Sequence, residues 1–276
     1  MDVASSVAGL AGVDTGLIDS GTKVVRTGAK ALSDFTPENR YYIGRTVSAM
    51  AFQKAAPYEN ATAHAYLNLL GQTLAHMSDK PTTWKGYHFQ ILDSDIINAY
   101  AAPGGFILIT RGLIRCCRNE AELAAVLAHE IAHVQLDHGM AAIKKGRRQE
   151  ALFVLGAEVV RHEGGAGLVQ ALNAFEGVVN DVFHTIADVG YGPTKELEAD
   201  ATAVTLLQRV GYNPAALSRV LEELEKRYDP AQGGLAKTHP HPRKRIEAVN
   251  RIIGDAEAVQ PAPERQARFD KHLAGI

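Results

Sequence analysis

Two histidines and a glutamate form the part of the sequence best suited to chemistry. His129 and His133 are four residues apart, and Glu130 directly follows the first of them. On a helix, residues at this spacing share a face, so both imidazoles can bind one metal ion. Glu130 is rotated by about 100° around the helix axis, where its carboxylate reaches a metal-bound water rather than the metal. Zinc acidifies such a water, and we expect Glu130 to take its proton as the hydroxide attacks a carbonyl.

The third protein ligand separates two arrangements of such sites. A third histidine six residues after His133 is typical of metzincins, but that position holds Gly139, and His138 falls one residue short. The other arrangement takes a glutamate from a second helix, and Glu196 is the candidate. Glu198 points away on that helix. We therefore predict Glu196 as the third ligand of one zinc ion per chain, and we interpret His138 as a structural or exposed residue.

Asp200 follows Glu196 by four residues and shares its helical face. From there its carboxylate can hydrogen-bond the ring nitrogen of a ligand histidine that faces away from the metal, which fixes the tautomer of that histidine. We expect Asp200 to hold His129 in this way. Asp200 is thus a second candidate catalytic residue beside Glu130, although it does not bind the metal.

Helices must position both halves of this site. Asn119 followed by Glu122 resembles a capping box, which predicts that the helix of the first motif runs to about position 139. The helix that carries Glu196 is expected from about position 195 to 210, where a glycine follows. Thr36 before a proline predicts an earlier helix start, and we expect a last helix to begin near Pro242.

Short β-rich runs between positions 88 and 110 predict one small antiparallel sheet. Turn residues split these runs at Asp93-Ser94-Asp95 and at Pro103-Gly104-Gly105. The fold class is therefore α+β and helix-rich. We divide the chain into three parts, which are an N-terminal extension (1–35), a single metallopeptidase domain (36–256) and a C-terminal tail (257–276).

At this point the sequence resembles a known family. His-Glu-x-x-His followed by Glu-x-x-Ala-Asp is similar to the gluzincin peptidases of metallopeptidase family forty-eight. The supporting segments are Asn-Ala-Tyr-Ala-Ala-Pro-Gly-Gly at 98–105, Arg111-Gly112-Leu113, and Thr238-His239-Pro240 with Arg245-Ile246. The membrane helices of some branches are missing, so the likeness is closest to the soluble bacterial periplasmic quality-control members. The resemblance implies the gluzincin fold, zinc ligands at His129, His133 and Glu196, and a base at Glu130. It also implies a proton-donor role for Asp200, as the alternative to the role of orienting His129.

The run Phe106–Thr110 is the candidate edge strand beside the active-site cleft. An extended peptide can add to such an edge main chain to main chain, which explains tolerance of different substrate sequences. An ordinary core strand is the alternative. The candidate substrate-binding residues are Phe106, Ile107, Leu108, Ile109 and Thr110.

His239 has two interpretations. In the soluble family members that the chain resembles, the matching histidine can occupy the open zinc position and hold the enzyme latent. A fourth protein ligand leaves no place for the catalytic water, so this would be a switch. The alternative is a turn histidine ahead of the helix at Pro242, and both interpretations stay open. Residues 150–190 contain several small residues and are a candidate cover over the cleft.

The composition excludes several classes of function. A chain of 276 residues with 46% hydrophobic and 22% charged residues is typical of a soluble globular protein. A formal charge of −2 gives no basic field that would recruit nucleic acid. We expect the densest basic run, residues 243–245, to be a solvated helix face. We expect no membrane span, because no apolar stretch approaches ~18 residues, while association with a membrane surface stays open.

The cellular compartment can be inferred only from the resemblance to the family. Residues 1–25 lack the basic start and continuous apolar core of a signal peptide, so the chain is either cytoplasmic or a mature form whose signal has been removed. The resemblance favours the periplasm. Cys116 and Cys117 are neighbours and the only cysteines, so they indicate neither a disulfide framework nor a zinc knuckle. The oligomeric state stays open.

Two functions from different classes fit these features. The first is a zinc-dependent endopeptidase that hydrolyses unfolded or misassembled polypeptides. The alternative is a zinc-containing chaperone or adaptor that binds extended chains with little cleavage. Glu130 favours the enzyme, because a protein that only binds chains has little reason to keep a base beside the metal.

Overall fold

The computed structural model describes residues 35–143, 166–254 and 262–276. Nearly all of the predicted N-terminal extension and residues 150–165 of the predicted cover therefore lie outside the described residues. Three strands and eleven α-helices follow in chain order within these ranges: α1 Pro37–Lys54, α2 Ala61–His76, β1 His88–Leu92, β2 Ala99–Ala102, β3 Phe106–Thr110, α3 Arg111–Ile114, α4 Glu120–Gln135, α5 His138–Ala141, α6 Ala166–His184, α7 Pro193–Arg209, α8 Ala215–Lys226, α9 Leu235–Thr238, α10 Pro242–Ile253 and α11 Pro263–Leu273.

Local sequence signals set the starts of two important helices. The hydroxyl of Thr36 accepts a hydrogen bond from the backbone of Asn39, whose side chain accepts one from the Thr36 backbone in return. Asn119 accepts from the backbone of Glu122 at the start of α4. Each cap satisfies N–H groups that have no partner inside the helix. Both predicted helix starts are confirmed.

The strand order of the sheet corrects two predictions. The order is β1-β3-β2, with β1 parallel and β2 antiparallel to β3. The sheet is therefore mixed rather than antiparallel. The prediction that Phe106, Ile107, Leu108, Ile109 and Thr110 form the edge strand is wrong, because β3 is central and both of its backbone sides pair with neighbours. Its apolar side chains suit that place, since Ile107, Leu108 and Ile109 are at most 2% exposed.

One edge of the sheet is covered and the other faces the metal motif. Along the outer side of β1, Tyr58 donates to the Ile91 carbonyl at 2.8 Å, and Asn68 of α2 donates to the Phe89 carbonyl at 3.0 Å. On the other side, β2 packs against α4 and against the π-helical turn Thr185–Val189. β2 is thus the edge strand beside the candidate site.

The core forms on both sides of the sheet. Helix α4 is almost wholly buried and packs against α2, α7, α8 and β2. The opposite sheet face packs with α1 and α6. This arrangement confirms a helix-rich α+β fold. Within the described ranges, no helix has both the length and the apolar content that a bilayer span requires.

The C-terminal segment, which was predicted to be a tail, contains a helix that packs against the domain. Helix α11 follows the helix at Pro242, so the expectation that α10 is the last helix is wrong. Phe269 and Leu273 of α11 belong to the core, and Arg268 pairs with the buried Glu120 at 2.6 Å. Phe269 and Leu273 are apolar residues four positions apart, a spacing that indicates a helix. Helix α11 therefore extends the domain core beyond position 256.

Candidate metal centre

Helices α4 and α7 bring the two halves of the motif together. His129 and His133 lie on α4, and Glu196 lies in the first turn of α7, which begins at Pro193. The two helices pack against each other, and both carry fully buried alanines, whose small side chains suit a close approach of helix backbones. These alanines are Ala125, Ala128 and Ala132 on α4 and Ala199 and Ala203 on α7.

The ligand atoms of these residues converge. The Nε2 atoms of His129 and His133 are 3.1 Å apart. Each of these nitrogens lies 3.5 Å from one carboxylate oxygen of Glu196. Two nitrogens bound tetrahedrally to zinc at about 2.05 Å lie about 3.3 Å apart. The separations are therefore those of ligands that share one ion.

His239 joins the same cluster from the C-terminal end of α9. Its Nε2 lies 3.6 Å from Oε2 of Glu196, and its Nδ1 is 3.0 Å from the hydroxyl of Thr238. The four candidate ligand atoms lie within 4.8 Å of one another. The structure thus places all four predicted metal residues together, with His239 in the position of a fourth ligand rather than in an exposed turn.

The surroundings of the Glu196 carboxylate show whether the cluster suits a cation. It is 0% exposed, and among the described residues neither of its carboxylate oxygens has a hydrogen-bond partner of ordinary geometry. Its nearest arginine nitrogen, Nη1 of Arg245, is 3.4 Å away. A buried carboxylate without hydrogen bonds is costly, and a bound cation removes that cost. Imidazole nitrogens together with a carboxylate are a donor set that zinc accepts, so the residues fit the ion.

Asp200 holds the far side of His129. Its Oδ1 is 2.9 Å from Nδ1 of His129, which leaves Nε2 free to face the cluster. Arg245 binds both Asp200 oxygens, at 2.8 Å through Nε and at 2.7 Å through Nη2. Burial raises the pKa of Asp200, but the Arg245 guanidinium outweighs burial and keeps that pKa well below its usual value. Asp200 is therefore ionised, as a residue that orients His129 should be.

Arg245 was missed as a functional residue. The prediction that residues 243–245 form a solvated helix face is wrong for Arg245, which is 3% exposed. Pro242, Arg245 and Val249 form the buried face of α10. Their spacing of three and four positions is a helical signal that identifies Arg245 as inward-facing.

Glu130 lines a small cavity beside the ligand histidines. The cavity has a volume of about 20 Å³, and its lining includes His129, His239 and Arg245. This volume exceeds the roughly 10–15 Å³ that one water requires, but it cannot hold a peptide strand. Burial raises the pKa of Glu130 to about 7, as expected of a carboxyl group in a cavity lined largely by leucine and valine side chains.

Tyr191 connects the ligand helix to the edge strand. Its ring stacks on His133 with 4.4 Å between ring centroids, and its hydroxyl donates to the Ala101 carbonyl of β2 at 3.0 Å. Gly190 and Gly192 on either side have φ values of 83° and 85°, which favour glycine. These contacts join Tyr191 to Ala101 and His133, which lie 90 and 58 positions away, so local spacing in the sequence does not indicate them.

Two histidines on one helix, a glutamate on a second helix and another buried glutamate beside them characterise a zinc metallopeptidase domain of the gluzincin type, and this chain carries such a domain. The comparison with known families agrees. Residues 61–253 match Peptidase family M48, and the chain belongs to that family.

Curated relatives share the domain to different extents. The beta-barrel assembly-enhancing protease of Yersinia pestis is 33% identical over 209 residues, which cover 72% of this chain and 40% of that protein. The protein of that name from Escherichia coli (strain K12) is 31% identical over 193 residues, or 67% of this chain and 38% of that protein. Metalloprotease LoiP of the same strain is 27% identical over 256 residues, or 90% and 92%. The chain thus spans well under half of the first two relatives.

Proposed function

We propose that the protein is a zinc-dependent endopeptidase that cleaves unfolded or misassembled polypeptides. The observation that carries this proposal is Glu130, a buried carboxyl group that shares a cavity with His129 and His239. Zinc, when bound, supplies a Lewis acid that acidifies water and polarises a carbonyl. His129, His133 and Glu196 would hold one zinc ion per chain.

Each remaining residue of the centre has a role in this reaction. Glu130 takes the proton of the attacking water and returns it to the leaving amine nitrogen. Asp200 keeps His129 in the metal-binding tautomer, and Arg245 keeps Asp200 ionised. A proton-donor role for Asp200 is disfavoured, because its oxygens are bound to Arg245 and its pKa is low.

The outer edge of β2 is the proposed substrate strand. An extended peptide that pairs with this edge would run past the metal centre, because β2 packs on α4. The Ala101 carbonyl, which now accepts from Tyr191, would accept from a substrate N–H. Main-chain pairing accepts many side chains, and it requires an unfolded or misassembled segment.

The names of two relatives suggest where the protein acts. Both are called beta-barrel assembly-enhancing proteases, and β-barrel membrane proteins belong to outer membranes. We therefore propose that this chain works in the periplasm on outer-membrane polypeptides that fail to assemble, with contact to the membrane surface left open.

His239 is proposed to latch the resting enzyme. It occupies the place of a fourth ligand, and the cavity beside Glu130, at about 20 Å³, is too small for a peptide strand. Substrate entry would therefore require the His239 segment to move. His239→Ala should raise the initial rate of peptide cleavage at saturating zinc, with His241→Ala as the control from an exposed position. An unchanged or lower rate in His239→Ala would contradict the latch.

Casein degradation by purified protein with one equivalent of zinc tests the main proposal. Glu130→Gln should abolish cleavage while zinc binding persists, and Glu222→Gln on the exposed face of α8 should cleave like the wild type. Equal cleavage by Glu130→Gln and the wild type would sink the assignment. If no form cleaves while the wild type keeps an aggregating client in solution, the chaperone alternative is the better description.

A further inference from the structure

His138 lies directly behind His133, on the side away from the other ligands. The two Nδ1 atoms are 2.8 Å apart. The other ring nitrogen of His138, Nε2, is 3.4 Å from Oε2 of Glu198. His138 is 3% exposed, whereas the Glu198 side chain is 55% exposed. A chain of contacts therefore runs from the metal cluster through His138 to the surface.

The proton positions along this row of contacts follow from the metal-binding role of His133. Its Nε2 faces Glu196 and offers a lone pair to the ion, so the proton of the neutral ring is on Nδ1. That N–H points at Nδ1 of His138, which must accept it. The proton of His138 is then on Nε2, the nitrogen that lies 3.4 Å from Oε2 of Glu198. The Nδ1–Nδ1 hydrogen bond forms when each histidine is neutral and in the assigned tautomer.

We propose that His138 is a positioning residue that holds His133 in its metal-binding tautomer and ring orientation, with Glu198 as the outer end of the chain. The proposal rests on the proposed function, because it assumes that zinc binds at His129, His133 and Glu196. A hydrogen-bond partner behind a ligand histidine commonly changes metal affinity by about 10–100-fold.

The turn before His138 directs the imidazole ring of His138 towards His133. Asp137 has a φ of 55°, in the left-handed region, which residues other than glycine, asparagine and aspartate rarely adopt. Its carboxylate is held by Lys80 at 2.9 Å and by Arg40. The left-handed residue ends α4 sharply and turns the next side chain back under the helix. Without this turn, a residue five positions after His133 would lie on another helix face.

The two ligand histidines are therefore oriented by different acceptors. Asp200 backs His129 with an ionised carboxylate at 2.9 Å, while His138 backs His133 with a neutral ring nitrogen. Tyr191 packs over both His133 and His138, with ring centroids 4.4 and 5.7 Å away. This packing keeps the Nδ1–Nδ1 contact in a buried environment, where a hydrogen bond has more effect than in water.

Zinc affinity of paired variants tests the proposal. In His138→Asn the amide oxygen lies near the position of Nδ1 and can still accept from His133. His138→Leu has a similar volume and no acceptor. We expect His138→Leu to weaken zinc binding by about 10–100-fold in competition with a chromogenic chelator, and His138→Asn to recover most of the affinity. His76→Leu, from an exposed position on α2, is the control and should bind like the wild type.

Urea unfolding of the metal-free variants separates this role from simple packing. If His138 only fills space, both variants lose stability and neither changes zinc affinity beyond the control, which overturns the proposal. Absorption spectra of the protein with cobalt in place of zinc provide a second test. An unchanged tetrahedral spectrum in cobalt-saturated His138→Leu supports a residue that acts behind the ligand, and a changed ligand set that His138→Asn does not restore overturns the proposal.

Histidine ¹⁵N spectra of the metal-free wild type distinguish failure of this inference from failure of zinc binding. If the wild type binds no zinc, the proposed function fails, and the tautomers still decide the inference. A proton on Nδ1 of His133 together with one on Nε2 of His138 supports the positioning role. A proton on Nε2 of His133 with Nδ1 unprotonated overturns it.

Discussion

Replacement of Arg245 by leucine should remove a large part of the free energy of unfolding. Arg245 and Asp200 form a bidentate pair whose side chains are 4% and 1% exposed, so solvent screens it little. Removing one partner of a buried pair costs about 3–5 kcal/mol, because the remaining charge stays buried without compensation. In Arg245→Leu the uncompensated charge is Asp200, and Glu196 also loses its nearest guanidinium.

Urea unfolding with a chelator present measures this cost by linear extrapolation. Lys244→Leu, from the exposed face of the same helix, should stay within about 0.5 kcal/mol of the wild type. Arg245→Lys should fall between the two, because an ammonium cannot bind both carboxylate oxygens in the same geometry. In the double variant Arg245→Leu/Asp200→Asn, the loss should be smaller than the sum of the single losses. If Arg245→Leu costs no more than Lys244→Leu, the reasoning about the buried pair is wrong.

Three further predictions follow from the same structure. Burial raises the pKa of Glu120, but hydrogen bonds led by the one from Arg268 hold that pKa below the ordinary value of a glutamate side chain. A lowered folded-state pKa gives stability that is present above about pH 4.5 and is lost as the pH falls further, so the stability gap between wild type and Arg268→Ala should shrink in urea titrations below that pH. Zinc at 100 times its Kd should raise the free energy of unfolding by about 2.7 kcal/mol, and a thermal melt that zinc leaves unchanged would contradict binding at the cluster. An added Cβ at Gly190 would lie 1.6 Å from the Thr238 carbonyl oxygen, so Gly190→Ala should displace the His239 segment, raise the cleavage rate and lower the melting midpoint; an unchanged rate and midpoint would contradict that contact.

Local spacing predicted the helices well because caps and periodicity act within a few residues. Thr36 and Asn119 each satisfy N–H groups at the start of their own helix, so their effect does not depend on the rest of the chain. The position of β3 could not be predicted in this way. An apolar run of five residues is compatible with a central or an edge strand, and the choice depends on where β1 and β2 pack.

Residue spacing is enough to predict the part of the site that a single helix carries. His129, Glu130 and His133 have fixed relative positions once α4 forms, and the same is true of Glu196 and Asp200 on α7. The residues that lie behind and above them are set by the packing of separate elements. Arg245 reaches Asp200 across 45 positions of sequence, His239 comes from a different helix end, and a left-handed turn aims His138 back at His133. Such contacts depend on how elements pack, because the backbone transmits geometry over a few residues and packing transmits it across the whole domain.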